Sequence, residues 1–446
     1  MSIPHDDQAG PAFRGPVQRV GKRAGSSRGR IFAWTLFDFG NTAFSVIIVT
    51  VIFSTYFTEQ VAGSDLRSWG PFLWGLTGSL SMIIAAAIAP PLGAAADYSR
   101  NKKRFLLLFT LTCIISTALL FFVKPGMVAL GMILFVIANV GFEGGIVFYD
   151  AFLPSITSRR SYGRVSGYGF AMGYLGALAV LLIVNFMLPD AGHPEYLFFV
   201  RLSFVVAALF FLVFSIPMFI WVPEPAYSGK KTVDIIRTGF RQSARTFRAI
   251  FIERQHPSVA RFLVAFFIYN DAILTIIFFA AIFAKSVLHM NDKELILFFA
   301  VVQTSAVVGS FLFGFVTDKI GPKKTIMITL LIWLSIALSA YFVVTISAFY
   351  FVAMGAGAAI GSSQSASRSL MALLTPREHE AEFFGFYDGL CGKASAVVGP
   401  AVYGLIAGVT NQRIAVLFIG LFFLAGLIIL KGVREPERKS TDSSHS

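Results

Sequence analysis

Runs of twenty or more residues with almost no charge follow one another through most of this sequence, and they commit the chain to a membrane. About 20 apolar residues cross the hydrocarbon core as a helix. Only 14% of the 446 residues are charged and 56% are hydrophobic, against about 25% charged in an ordinary soluble domain. A water-soluble fold of this size has nowhere to hide so much apolar surface. Backbone groups in hydrocarbon must be satisfied by a helix or a closed barrel, and a barrel would show short alternating segments. The runs here are long and continuously apolar, which predicts an all-α membrane protein.

Twelve spans are expected, over 31–58, 70–96, 105–123, 127–153, 163–188, 197–221, 260–286, 294–317, 325–345, 348–374, 383–409 and 413–431. Lysine and arginine set their direction. One set of connections carries Arg14, Arg19, Lys22, Arg23, Arg28, Arg30, Arg100, Lys102, Lys103, Arg104, Arg159, Arg160, Arg164, the central linker, the Lys319–Lys324 turn, Arg377 and the basic tail. The other carries only Arg67, Lys124, Arg201, Lys285, Lys293 and Arg413. This predicts a cytoplasmic segment 1–30, a six-span half 31–221, a cytoplasmic linker 222–259, a second half 260–431 and a cytoplasmic tail 432–446. The net charge of +13 is then membrane topology and not nucleic-acid binding. A monomer in a bacterial inner membrane is expected, with lipids and a small solute as partners. No short apolar stretch with a small-residue cleavage site precedes the first span, so that helix is expected to serve as its own insertion signal. Cys113 and Cys391 fall inside spans, so no disulfide framework, metal site or cofactor is implied.

The linker has its own pattern. Val233, Ile236, Phe240, Ala244, Phe247 and Phe251 recur at helical spacing beside a stripe of Arg237, Arg241, Arg245 and Arg248. Two readings fit: an amphipathic helix on an anionic leaflet, or a helix packed on the ends of the spans.

The sequence also repeats itself. Gly93, Asp97 and the basic run to Arg104 follow span 2; Gly314, Asp318 and Lys319–Lys324 follow span 8, the two aspartates 221 residues apart. Pro154 and Pro376, Gly163 and Gly385, and Gly167 and Gly389 are each separated by 222. Glu224 after span 6 answers Glu435 after span 12 at 211, the shortfall matching a longer 189–196 loop. Two related six-helix bundles are therefore expected. The small-xxx-small spacing at Gly163/Gly167 and Gly385/Gly389 lets helices approach closely. If the halves are related by a twofold axis along the membrane normal, Asp97 reaches the positive amino end of span 11 and Asp318 that of span 5. Such contacts would latch the cytoplasmic side; alternatively the turns serve only topology.

The repeated Gly-x-x-x-Asp-x-x-Gly-x-Lys-Lys turn, complete at Gly314–Lys324, resembles the signature of the major facilitator superfamily; the first copy departs with Arg100 in place of glycine. Trp34–Phe44, Tyr149–Pro154, Gly163–Tyr174, Phe267–Asp271, Ser367–Met371 and Glu382–Asp388 resemble the vacuole-effluxer-like, autophagy-related permeases, with likeness over roughly 31–431. The resemblance implies alternating access between two bundles, with spans 1, 4, 7 and 10 lining a central cavity. Its fungal members are associated with amino-acid release from the vacuole.

Charges at bilayer depth are costly unless they face a cavity or a partner. Glu143 lies in the middle of span 4, and its repeat partner is Ser365, so symmetry does not demand the acid. It is a candidate for reversible proton binding or for a structural hydrogen bond. Asp38 and Asn41, three apart in span 1, share a helix face; Asn270 and Asp271 sit in span 7 and Gln364 in span 10. Lys393 in span 11 needs a counter-charge. Asp271 is the expected partner, because Asp388, five residues away on the same α-helix, would point about 140° elsewhere. The pair is either permanent or exchanges for a zwitterionic substrate. Arg368 and Asp150, toward the cytoplasmic ends of spans 10 and 4, together with Asp388, are gating candidates.

These features predict a secondary transporter, proton-coupled, for a small polar or zwitterionic solute such as an amino acid. No phosphate-binding loop supports a primary pump. An intramembrane enzyme is disfavoured because all six histidines fall outside the spans. A multidrug or metabolite exporter and a transporter-shaped sensor without flux are the competing classes.

Overall fold

Residues 28–62, 69–190, 192–224, 232–290, 292–395 and 398–436 are described in a computed structural model. Arg14, Arg19, Lys22, Arg23, Arg67, Pro225 and the tail beyond residue 436 lie outside the described residues, as do the side chains of Val233 and Lys293. Eleven helices among them are long and apolar enough to cross a membrane. They are spans 1 to 6 (Arg28–Val61, Gly70–Ser99, Lys102–Phe122, Val128–Ile156, Arg159–Met187, Tyr196–Trp221), spans 7 to 10 (Pro257–Leu288, Leu297–Ile320, Pro322–Phe342, Ile346–Leu374) and span 12 (Gln412–Lys431). Span 11 is the exception to the expected continuous helix. It comes as Glu380–Phe384, a π-helical stretch Gly385–Gly392, a turn at Ser395 and a short helix Val398–Val409. The bundles pack around buried aromatic rings such as Trp34 on Tyr149 (4.6 Å) and Trp333 on Phe423 (5.4 Å).

The repeat is visible as geometry at the end bearing the Arg100–Arg104 and Lys319–Lys324 turns, the basic end. Span 2 stops at Arg100, which adopts a left-handed conformation at φ 54°, and Asn101 N–H closes back on the Ala96 carbonyl at 3.0 Å. Gly321 occupies the matching turn at φ 103°. Both turns thus need positive φ, and the first makes it with arginine, at a strain of about 1–2 kcal/mol for an L-residue. The two glutamates that repeat at 211 share a task. Glu224 accepts from Lys103 N–H at 2.8 Å and Glu435 from Lys323 N–H at 3.4 Å. Each supplies an acid to the amino end of the next helix, where the backbone N–H groups have no intrahelical partner. Lys103 Nζ bonds the Val222 carbonyl, and Lys323 Nζ those of Lys431 and Val433.

Glycines then bring the two bundles into contact. A methyl group on Gly163 would meet Thr317 Cβ at 2.6 Å, and one on Gly167 the Ser310 carbonyl oxygen at 2.4 Å, so span 5 lies directly on span 8. Gly385 and Gly389 approach Ala89 and Pro90 in the same way, seating span 11 on span 2. The linker helix, Thr232–Phe247 with a π-helical extension Arg248–Ile252, packs on the basic end of span 2. A methyl on Gly239 would lie 2.5 Å from the Pro91 carbonyl oxygen, and Ile235 and Ser243 are buried beside it.

Gly321→Ala is expected to cost about 1–3 kcal/mol, because φ 103° with ψ 144° is a region open to glycine alone. Arg100→Ala, at a left-handed position already held by an L-residue, is expected to change stability by less than half as much. Thermal unfolding midpoints in detergent compare the two.

Candidate functional site

Two polar clusters bridge the bundles, and in each the base comes from the second half. Arg368 of span 10 is one of the largest fully buried side chains. Its Nη1 donates to Asp150 Oδ1 at 2.7 Å and lies 3.5 Å from Asp38 Oδ2. Its Nε donates to Ser166 Oγ at 2.9 Å and its Nη2 to the Ser166 carbonyl at 2.8 Å. Phe170, Trp34 and Tyr149 rings lie 4.1, 4.8 and 5.8 Å from the guanidinium carbon, a cation–π enclosure. Gly169 makes room: a methyl there would sit 2.7 Å from both Arg368 Nη2 and Asp38 Oδ2. Asn41 Nδ2 donates to Asp38 Oδ1 at 3.3 Å, and Ser166 Oγ donates to the Ser365 carbonyl at 2.9 Å. Tyr174 donates to Gln364 Oε1 at 2.7 Å, a further tie between the halves.

In the second cluster Lys393 pairs with Glu143 of span 4 and lies 3.7 Å from Asp388. The expected Asp271–Lys393 pair is absent. Asp271 Oδ2 instead accepts from Gly399 N–H at 2.7 Å, at the amino end of the second piece of span 11, where unpaired N–H groups attract a carboxylate. Asn270 beside it donates to Ser395 Oγ at 2.7 Å. Span 7 therefore holds the interrupted stretch of span 11 and leaves Lys393 to the first bundle. Asp388, the less favoured partner on α-helical geometry, is the one that lies beside Lys393, for a definite reason. Gly385–Gly392 is π-helical, with hydrogen bonds running from i to i+5, so residues five apart stack on one side.

The two aspartates of the repeat make the contacts that the twofold relation requires. Asp97 accepts from Ala381 N–H at 3.1 Å and Glu382 N–H at 2.8 Å, where span 11 begins. Asp318 accepts from Gly163 N–H and Arg164 Nε, both at 2.8 Å, where span 5 begins. The surroundings differ. Asp97 lies with Lys102, which pairs with Glu380, and next to them Gln242 of the linker helix donates to Glu382 at 2.9 Å. His379 Nδ1 is 3.1 Å from the same Glu382 oxygen and 3.0 Å from Gln242 Nε2. The Glu382 carboxylate holds the His379 imidazole above its ordinary pKa of 6.5.

Sequence reasoning missed Ser166, Gly169 and Phe170 as the seat of Arg368, although all three lie in the quoted Gly163–Tyr174 stretch. It also missed Lys102, Glu380, Glu382, His379 and Gln242 as one network. His379, Glu380 and Glu382 are neighbours, but Lys102 and Gln242 are far from them in sequence, and nothing in the spacing joins the three segments.

Removing Arg368 leaves two carboxylates facing each other in a dry site. Arg368→Met is expected to cost about 3–5 kcal/mol, and Arg368→Lys to recover only part, since an ammonium cannot reach Ser166 and both acids together. Adding Asp38→Asn and Asp150→Asn to Arg368→Met should regain stability in the same unfolding assay. For His379 the sign follows from its elevated pKa. The stabilisation is complete below the ordinary value of 6.5 and is lost as pH rises through the elevated value. The difference in melting midpoint between the parent and His379→Ala is therefore expected to shrink with rising pH; a difference flat across pH 5.5 to about 8.5, bracketing the histidine range, contradicts it.

Residues 74–163 and 157–443 match the family described as vacuole effluxer Atg22 like. An uncharacterized MFS-type transporter of Bacillus subtilis, YxiO, is 31% identical over 422 residues, covering 92% of this chain and 96% of that one. Autophagy-related protein 22 of Yarrowia lipolytica is 25% identical, over 75% of this chain and 71% of its own length. Among solved structures, the proton:xylose symporter XylE superposes with a TM-score of 0.71 at 15% identity, covering 92% of this chain and 97% of that one. FucP in the outward conformation gives 0.71 at 13%, over 92% and 100%. The superpositions establish two six-helix bundles of the major facilitator fold. The sequence matches establish a solute transporter, not an enzyme, and a multi-pass membrane protein. The chain belongs to the Atg22-like vacuole effluxer family within the major facilitator superfamily.

Proposed function

We propose that this chain is a proton-coupled secondary transporter that moves a small zwitterionic solute, such as an amino acid, by alternating access. The observation that carries the proposal is a charge count made twice. Arg368 faces Asp38 and Asp150, and Lys393 faces Glu143 and Asp388, so each bridge between the bundles holds one base and two acids. An unbalanced charge in a low-dielectric site is costly. A proton on one acid neutralises each cluster, and a zwitterionic substrate, which brings no net charge, leaves that need for a proton unchanged.

The two clusters are suited to different tasks. Arg368 uses its three nitrogens on Asp150, Asp38 and Ser166 and is enclosed by rings, so it has little left to offer a solute. It acts as a lock between the halves. Lys393 is held only by carboxylates. With Glu143 protonated, a substrate carboxylate can take Lys393 while its ammonium takes Asp388, which exchanges one set of ion pairs for another without stranding a charge. Proton binding at Glu143 releases Lys393 for that exchange.

The basic end is the cytoplasmic end, with both termini there, in accord with the distribution of lysine and arginine. The formed Asp97 and Asp318 contacts then describe a chain closed toward the cytoplasm, like FucP in its outward conformation. Opening inward breaks both contacts and separates the glycine-lined faces of spans 5/8 and 2/11.

Proteoliposomes loaded with a radiolabelled panel of amino acids and other small metabolites test this reading. Flux of a zwitterion that rises with an imposed pH gradient is expected, with Glu143→Gln abolishing the gradient dependence. Flux indifferent to pH that survives Glu143→Gln would sink proton coupling, and no flux of any solute would favour a sensor. For the latches, Asp97→Asn with Asp318→Asn is expected to raise thiol-reagent access to cysteines placed in the cytoplasmic mouth several-fold; unchanged access assigns those turns to topology alone.

A further inference from the structure

The linker helix has three faces, and among the described residues only one is covered along its length. Ile235, Gly239 and Ser243 form the buried face on span 2, with Gln242 reaching Glu382 from its edge. At about 100° per residue, Ile236, Phe240 and Phe247 centre roughly 80° away from that face, with Phe247 at the end of the helix also meeting Phe386 of span 11 at 6.3 Å between ring centroids. They are 41, 52 and 44% exposed, which is far from what three large apolar side chains in a row adopt in water. Arg237, Arg241 and Arg245 centre about 120° further round. All three are exposed and have no acidic partner within ion-pair distance among the described residues. The two sequence readings of this helix, packed or amphipathic, are therefore different sides of one object.

We propose that the Ile236–Phe240–Phe247 face of the linker helix inserts at the boundary of the adjacent leaflet, with the arginine stripe bound to anionic phospholipid headgroups. Three observations favour lipid over a protein partner. The helix lies at the basic end of span 2, at the level where a helix leaves the membrane. An apolar stripe flanked by unpaired arginines has the chemistry of an anionic interface. The chain's own terminal and linker segments offer the arginines no net negative charge: residues 1–30 hold six bases against two acids, 225–231 hold Lys230 and Lys231 with no acid, and 437–446 hold two of each. The consequence is mechanical. The same helix holds Glu382 through Gln242, at the residue whose N–H caps Asp97. Lipid charge thus bears on the start of span 11 through a helix that touches no solute.

Site-directed spin labelling of the full chain, with Cys113 and Cys391 replaced by alanine, tests the proposal. Phe240→Cys and, independently, Ile236→Cys carry the label, with Asp234→Cys as the reference on the arginine side. In phosphatidylcholine vesicles containing phosphatidylglycerol, oxygen is expected to relax the labels at 236 and 240 at least threefold more effectively than a water-soluble nickel complex. The order should reverse at 234. Replacing Arg237, Arg241 and Arg245 by glutamine, or omitting phosphatidylglycerol, should move label 240 toward water. Labels at 236 and 240 as open to nickel as label 234 in both lipids would show a water-facing helix and overturn the proposal. Labels shielded from both relaxants in vesicles and detergent alike would show a protein cover and overturn it equally.

Discussion

A guanidinium taken out of water between two helix bundles needs every donor satisfied, and the seat of Arg368 shows what that demands of the fold. Asp150 and Asp38 must converge from spans 4 and 1, Ser166 must present both its hydroxyl and its carbonyl, and Gly169 must have no side chain. Trp34, Tyr149 and Phe170 complete the enclosure. Such a buried pair adds less net stability than its contacts suggest, because desolvation opposes the Coulomb gain. What it supplies is position: spans 1, 4 and 5 of the first half can meet span 10 in only one register.

The internal repeat gives this arrangement its frame, and departures from it give the chemistry. Asp97 and Asp318, Arg100 and Gly321, and Glu224 and Glu435 play matching parts in the two halves. No such match exists for Glu143, which faces Lys393 across the twofold while its own repeat partner is Ser365. In the Arg368 and Lys393 clusters three of the four acids come from the first half and both bases from the second. Symmetry can build a two-bundle scaffold; ion pairs of opposite charge across it need the halves to differ.

Much of the scaffold was legible because each element rests on a local rule. Apolar run length located eleven spans, and the constant offset near 222 located the halves. The twofold relation named the partners of Asp97 and Asp318. The pairing of Lys393 required knowledge of helix interior geometry. Lys393 was assigned to Asp271 because span 11 was read as an unbroken α-helix, whereas π-helical turns bring Asp388 round and Asp271 holds Gly399 instead. Four glycines and serines from Gly385 to Ser395 hint that the helix is weakened there, but composition does not say which turn yields. The sequence marks Arg368 as a gating candidate toward the cytoplasmic end of span 10, yet its seat is assembled from three helices, and no single stretch of sequence contains it.

The two latches, equivalent by descent, are not equivalent in strength or control. Asp318 works with Arg164, whose side chain is 43% exposed, and solvent screens such a contact. Asp97 is enclosed, with Lys102 and Glu380 beside it and the linker helix bound one residue further on through Gln242. A single covalent linker between two pseudo-symmetric bundles can pack against only one of the two symmetry-related interfaces. Here it packs on span 2 and the start of span 11, so whatever moves the linker acts on one latch and leaves the other to follow. Opening of the basic end is therefore expected to be sequential in its control even though the scaffold is twofold. The asymmetry of charge at the centre and the asymmetry of the linker at the end have the same origin, a duplicated fold whose copies no longer meet the same neighbours.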